Sequence, residues 1–217
     1  MIKYSPFEGL TSGETAEIRS CLCPIEKIYG KGDIIMQFSD KDRNLGLVDS
    51  GTAYLIRIDI DGNRSIIDYY ESGDVFGKML APESEIDAYY ILAKEKCRIS
   101  FFNYDKLLSK CKNNCIKHTV LLNNLLMLTL KKAQMHIDIL SQRTTRQKLI
   151  TYFDYQRNKN LSDTFTLPLS LSDLSDYLSI DRSAMMREIR NLKEDNLISA
   201  DGNRFTLKNS RYTYADC

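Results

Sequence analysis

The sequence predicts an α+β protein with a β-roll first, then a long helix, and a winged helix-turn-helix last. Three observations support this fold class. Short apolar segments separated by turn residues fill residues 26–102, a texture typical of antiparallel β-sandwiches and rolls. Residues 113–141 then repeat large apolar side chains at helical spacing. Finally, residues 170–207 have the pattern of a helix, a tight turn, a second helix and a hairpin.

Turn residues punctuate the predicted β-roll at regular intervals. Gly32-Asp33 and Gly73-Asp74 mark two turns, and Asp61-Gly62 marks a hairpin. The strands predicted between such signals are 25–29, 34–36, 44–48, 52–60, 65–70, 88–93 and 98–102. An apolar pattern over residues 5–22 predicts one or two short helices before the first strand.

The long helix carries an apolar stripe that is wider than a surface helix needs for packing on one domain. The stripe predicts that this helix pairs with a second helix, and the residues assigned to the seam are Leu121, Leu125, Leu128, Met135 and Ile139. The alternative is a core helix that packs on the β-roll alone. Residues 141–145 form the predicted hinge, and an amphipathic helix over residues 146–155 follows it.

The helix-turn-helix is predicted from capping signals and from periodicity. Ser170, with Asp173 three residues later, is a candidate N-cap, and Asp181 can cap the second helix, residues 181–193. On this second helix Met185, Ile189 and Leu192 share one side. The opposite side carries Ser183, Arg187 and Arg190, with Arg182 and Met186 at its edge. Outward arginines suit guanine edges and phosphates; the alternative is a solvated amphipathic helix of another small α/β unit.

The stretch DLSDYLSIDRSAMMREIRNLKEDNLIS resembles the winged helix-turn-helix of the Crp/Fnr transcription regulators. The resemblance implies that Arg182, Ser183 and Arg187 occupy the base-reading positions, and our predicted DNA-binding set adds Arg190, Ser170 and Arg204. Two positions depart from the family pattern. Ser183 stands where a glutamate is usual, which leaves the sequence preference open. Ser179 replaces a turn glycine, which weakens the turn if its φ angle is positive.

The glycine-aspartate turns of the first half are similar to those of the cyclic-nucleotide-binding β-roll, which is cupin-like and forms the sensor half of this family. The resemblance implies a sensor domain over residues 1–112, a dimerisation helix and hinge over 113–142, and a DNA-binding domain over 143–217. It also implies a homodimer on palindromic double-stranded DNA, with RNA polymerase as a further partner if the protein is an activator.

The predicted effector pocket comprises Gly77, Lys78, Asp87 and Ala88. In relatives that bind cyclic nucleotide, a glutamate holds the ribose and an Arg-Ser pair holds the phosphate. Lys78 replaces the glutamate and Asp87-Ala88 replaces the pair, and a carboxylate repels a phosphate, so the sequence argues against cyclic AMP. A signal of another kind, or no effector at all, remains open.

The sequence also argues against an iron–sulfur cluster, because the cysteines lack the clustered spacing of four ligands. Haem is disfavoured since both histidines, His118 and His136, lie on the long helix. No histidine occurs in residues 1–112, and neither a nucleophile–base pair nor a P-loop is found, so we expect no enzyme. A cupin-type protein-interaction adaptor is the remaining alternative.

The net charge and the distribution of apolar residues limit the possible functions and locations of the protein. The net charge is only +1, so any DNA binding depends on the local placement of basic residues and not on a bulk field. Neither a signal-peptide pattern nor a run long enough to span a bilayer is found. We therefore expect a cytoplasmic protein without a membrane partner and, in that compartment, free thiols instead of disulfides.

Overall fold

The structure is a computed structural model that describes residues 6–38, 43–77, 88–109 and 116–208. The chain forms two compact units, and the boundary between them lies after Lys131. The elements up to the boundary are α1 Ser12–Leu22, β1 Ile25–Tyr29, β2 Ile34–Gln37, β3 Asn44–Ser50, β4 Ala53–Ile58, β5 Arg64–Tyr70, β6 Val75–Gly77, β7 Ala88–Ala93, β8 Cys97–Asn103, α2 Tyr104–Leu108 and the start of α3 Lys117–Ser141.

Two four-stranded antiparallel sheets form the β-roll, with strand orders β1-β8-β3-β6 and β2-β7-β4-β5. Their facing sides share one apolar core, to which both sheets contribute fully buried side chains such as Ile91 of β7 and Ile99 of β8. The α+β class and the roll are thus confirmed. Strand β6 and helix α2 were not predicted, because β6 has only three residues and α2 only five.

The two glycine-aspartate pairs form the same type of turn. Gly32 and Gly73 both have positive φ angles, of 90° and 96°, which side chains of other residues rarely tolerate. The carboxylate of the following aspartate accepts a hydrogen bond from the backbone three residues earlier: Asp33 from Gly30 N at 2.7 Å, and Asp74 from Glu71 N at 2.9 Å. These turns set the strand ends of the roll.

The first part of α3 packs on the outer face of this roll. Leu121 and Leu125 are buried in a second apolar cluster with residues of α1, β3 and β8. Asn124 of the same helix donates hydrogen bonds to the carbonyl oxygens of Pro6 and Glu8, and Lys117 pairs with Glu17. This part of α3 is therefore fixed to its own chain along one side.

The burial of Leu121 and Leu125 argues against their predicted place in a dimer seam. Both are nearly inaccessible within one chain, as is Ile139 further along the helix, while Leu128 and Met135 are half-buried. A side chain that already packs inside its own unit cannot face a second copy without leaving that core. The predicted residues thus mark the side of α3 that faces the chain itself.

The unit after Lys131 holds the end of α3 and the predicted winged helix-turn-helix. Its further elements are α4 Thr145–Asn160, β9 Thr164–Thr166, α5 Leu171–Tyr177, α6 Arg182–Glu194, β10 Ile198–Asp201 and β11 Arg204–Leu207. The three strands form one antiparallel sheet in the order β10-β11-β9. Strand β9 was not predicted, and α4 extends beyond the predicted end at residue 155.

Two further expectations concern thiols and membranes. Cys21, Cys23 and Cys97 are free cysteines, whereas Cys111 and Cys115 lie outside the described residues. Burial raises the pKa of the Cys97 thiol, which disfavours its reactive thiolate form. In the part of the chain that the structure describes, no helix combines the length and apolar character needed to cross a bilayer.

Candidate nucleic-acid interface

The two helices of the helix-turn-helix begin at the predicted caps. The Ser170 hydroxyl accepts a hydrogen bond from Asp173 N at 3.2 Å and donates to the Asp173 carboxylate at 2.6 Å. The Asp181 carboxylate accepts from Ala184 N at 2.9 Å at the start of α6. Each cap satisfies an amide that the helix itself leaves unpaired. The Ser170 side chain, which we also predicted to bind DNA, therefore already has a structural role.

The turn between α5 and α6 is closed by the backbone. Ser179 N donates to Asp176 O at 3.0 Å, and Ile180 N donates to Ser175 O at 2.9 Å. This pair of hydrogen bonds is a Schellman motif, which requires a left-handed residue just after the helix. Ser179 is that residue, with a φ angle of 52°.

Replacing Ser179 by glycine is expected to raise the free energy of unfolding by about 0.5–1 kcal/mol. The left-handed conformation costs a residue with a side chain about 1–2 kcal/mol, and the greater freedom of glycine in the unfolded chain cancels only part of this gain. Urea denaturation measures the change. The matched control is Ser172→Gly on α5, where the backbone is helical and glycine should instead lower stability. Equal effects of the two substitutions would contradict the prediction.

Helix α6 presents opposite chemistry on its two sides. Met185, Ile189 and Leu192 are buried on the inner side, where α6 packs on α4 and α5. The outer side is exposed and carries Arg182, Ser183, Arg187 and Arg190. Within the described residues, none of these three guanidinium groups forms an ion pair. Their donors thus face solvent, available for an anionic partner.

Another arginine holds α6 in place. Arg146, in the first turn of α4, pairs with Glu188 on α6 at 3.2 Å and also with Asp195 at the C-cap of α6. One guanidinium therefore links the middle and the end of α6 to α4. This role was not predicted, because Arg146 is 42 and 49 residues from its two partners in the chain. An arginine in the first turn of a helix gives no signal of its partners.

Two side chains cap the carboxyl end of α5. His136 of α3 donates from Nε2 to Tyr177 O at 3.1 Å, and its ring stacks on the Tyr177 ring with centroids 4.1 Å apart. Lys148 of α4 donates from Nζ to the carbonyl oxygen of Leu178 at 3.1 Å. Donors at a helix carboxyl end complement its unpaired carbonyl groups and its dipole. These contacts connect α5 with both α3 and α4.

The predicted wing is a hairpin of β10 and β11, with Asp201 opposite Arg204. Arg204 is exposed at the start of β11, and the neighbouring Phe205 is buried against Phe153 of α4, with ring centroids 5.1 Å apart. The hairpin is thus fixed by its apolar side, while Arg204 stays accessible on the other.

The predicted effector pocket is described only at its edges. Gly77 ends β6 and pairs with Leu45, and a side chain in its place would collide with the backbone of β3. Ala88 begins β7 and lies opposite Ile58. Lys78 and Asp87 lie outside the described residues. Gly77 and Ala88 are located in different sheets of the roll.

Known proteins are similar to this chain in both sequence and fold. The cyclic nucleotide-binding domain family matches residues 26–114. The nitrogen fixation regulation protein FixK of Bradyrhizobium diazoefficiens is 23% identical over 79% of this chain and 73% of its own length.

Solved structures are similar over most of the chain. FixK2 from Bradyrhizobium japonicum matches with a TM-score of 0.68 at 21% identity, covering 86% of this chain and 93% of its own. The c-di-GMP-responsive global regulator CLP of Xanthomonas campestris matches with a TM-score of 0.67 at 17% identity, covering 92% and 100%. The similarity therefore extends over both the β-roll and the helix-turn-helix.

Proposed function

We propose that the chain is a transcription regulator of the Crp/Fnr family, and that it binds a palindromic DNA operator as a homodimer through α6. The match to the cyclic nucleotide-binding domain and the similarity to FixK support this proposal. The observation that carries this proposal is the outer side of α6, where three arginines and a serine are exposed on a helix that is fixed by its other side. Arginine is the side chain best suited to bidentate contact with guanine and to phosphate.

Charge placement supports DNA as the partner. The protein has a net charge of only +1, yet Arg182, Arg187 and Arg190 lie on one exposed side of α6 without acidic partners in the described chain. Arg146, by contrast, is neutralised by Glu188 and Asp195. Such a local concentration of unpaired positive charge suits the major groove.

We propose that α3 supplies the dimer contact through the side that its own chain leaves uncovered. Leu126, Leu130, Ile137 and Leu140 are exposed, and Ala133 lies between them. Their spacing alternates between four and three residues, which is the repeat of a coiled-coil seam. Two copies joined along this side would present two α6 helices to one palindrome.

We further propose that the β-roll receives a signal other than cyclic AMP. The family match over residues 26–114 supports a sensor origin of this domain, and the sequence departures at Lys78 and Asp87 argue against the cyclic nucleotide itself. A regulator that responds to no effector, and is controlled by its abundance, would keep the same operator-binding surface.

Selection of bound duplexes from a random DNA pool tests the proposed function. Purified protein at moderate salt should enrich a palindrome with half-site centres about 10 bp apart. Affinity for the enriched site should fall steeply as salt increases, because bound phosphates release counterions. Failure to enrich any sequence, both with purified protein and in cell extract, would contradict the proposal and favour a protein partner for the helix-turn-helix.

A further inference from the structure

Met186 is an exposed apolar side chain on the otherwise polar outer side of α6. Its accessibility is 41%, whereas its neighbour Met185 is completely buried and fills the core between the helices. The two methionines therefore have different roles. Isolated exposed apolar residues are common on protein surfaces, so the position of Met186 among its neighbours decides whether it has a function.

Those neighbours are the residues that we assign to DNA. Along a helix, residues three and four apart are adjacent on the surface, which places Met186 beside Ser183, Arg182 and Arg190. Arg187 follows it directly in the chain. A complex that brings these polar groups to base edges also removes Met186 from water, so the thioether side chain must meet some group in the groove.

Thymine offers the matching chemistry. Among the groups that base pairs expose in the major groove, the thymine 5-methyl is apolar, and the others are hydrogen-bond donors and acceptors. The methionine sulfur is only a weak acceptor, so Met186 cannot replace a lost polar contact. We infer that Met186 is a specificity-determining residue that contacts a thymine methyl group in each half-site, an inference that rests on the proposed DNA-binding function.

The long side chain of methionine is suited to this contact. Its three rotatable bonds and polarizable sulfur let it fill irregular apolar surfaces, and Met186 lies outside the set of α6 residues that are buried in the core. Serine at position 183, which is shorter than glutamate, leaves room beside Met186 on the same side of the helix. Positions 183 and 186 together therefore favour an apolar contact with the base over the contact that a glutamate at position 183 would make.

Replacement of thymine by deoxyuridine tests the inference, because it removes only the methyl group and keeps base pairing. The duplex is the sequence enriched from the random pool, and each thymine is replaced in turn, in both half-sites together. For the unmodified protein, replacing the thymine at one position should lower the affinity for the duplex about fourfold per half-site. This is the effect expected from the burial free energy of one methylene-sized group. For Met186→Ala, the same replacement should have no effect.

Two further variants make the result specific. Met186→Leu keeps an apolar side chain and should retain a methyl effect, whereas Met186→Gln should lose it. Because position 186 is exposed, thermal unfolding of all three variants should match that of the original protein.

The possible failures are distinguishable. If a palindrome is enriched but no thymine shows a methyl effect, or the effect persists in Met186→Ala, this inference is wrong and the proposed function stands. If no sequence is enriched at all, the proposed function itself fails, and the inference fails with it.

Discussion

Arg187→Ala is expected to abolish discrimination between the selected operator and unrelated DNA while leaving the fold unchanged. Arg187 is exposed on α6 and forms no ion pair with the described residues, so its removal disturbs no internal contact. A bidentate contact of arginine with guanine contributes about 1–3 kcal/mol of discrimination, roughly a 5- to 150-fold loss of specific affinity for each half-site. Competition binding with operator and unrelated duplexes measures the ratio of the two affinities directly.

Two variants separate base reading from charge. Arg187→Lys keeps the positive charge but not the planar fork of donors, so it should lose discrimination while the salt dependence of binding stays unchanged. Arg64→Ala removes an exposed arginine from β5 of the roll and should leave the operator preference intact. An unchanged preference in Arg187→Ala would show that position 187 does not read bases.

The helix-turn-helix was predictable in detail because its determinants are local in sequence. Ser170 and Asp181 cap helices a few residues away, and the buried residues of α6 recur at helical spacing. The sequence located the turn at Ser179 but left its φ angle open, and the structure shows the left-handed value of 52°. Local hydrogen bonding and periodicity need no knowledge of the rest of the fold.

The contacts that orient the helix-turn-helix could not be predicted in the same way. Arg146 meets Glu188 and Asp195 across more than forty residues of sequence, and His136 reaches Tyr177 over a similar separation. Such pairs depend on how helices pack, and a single sequence offers many equivalent charged or aromatic candidates. Their identification therefore required coordinates.

The long helix shows a different limit of periodicity. Apolar side chains occur on more than one side of α3: Leu121 and Leu125 pack on their own chain, whereas Leu126, Leu130 and Ile137 are exposed. The sequence correctly indicated more apolar surface than one domain needs, but the seam was assigned to Leu121, Leu125 and Ile139, which are buried. An apolar pattern indicates that a side of the helix is buried. It does not indicate whether the chain itself or a second copy buries that side.

Ile137→Glu is expected to convert the proposed homodimer into monomers. Ile137 is 67% exposed on the uncovered side of α3, so a charged side chain there is tolerated in the single chain. In a dimer, each copy would lose the burial of an isoleucine, about 1.5–3 kcal/mol, and would bring two carboxylates close together. Loss of two such contributions raises the dissociation constant at least roughly 100-fold, which light scattering and sedimentation can measure.

Ile28→Glu is the matched control, because Ile28 has the same 67% exposure but lies on β1 of the roll. It should leave the dimer intact. Leu125→Glu distinguishes the two sides of α3: Leu125 is buried in its own chain, so this substitution should unfold the unit that contains the roll instead of producing folded monomers. If Ile137→Glu remains dimeric while Leu125→Glu yields folded monomers, the seam lies on the side that we assign to the core, and the proposed pairing of α3 is wrong.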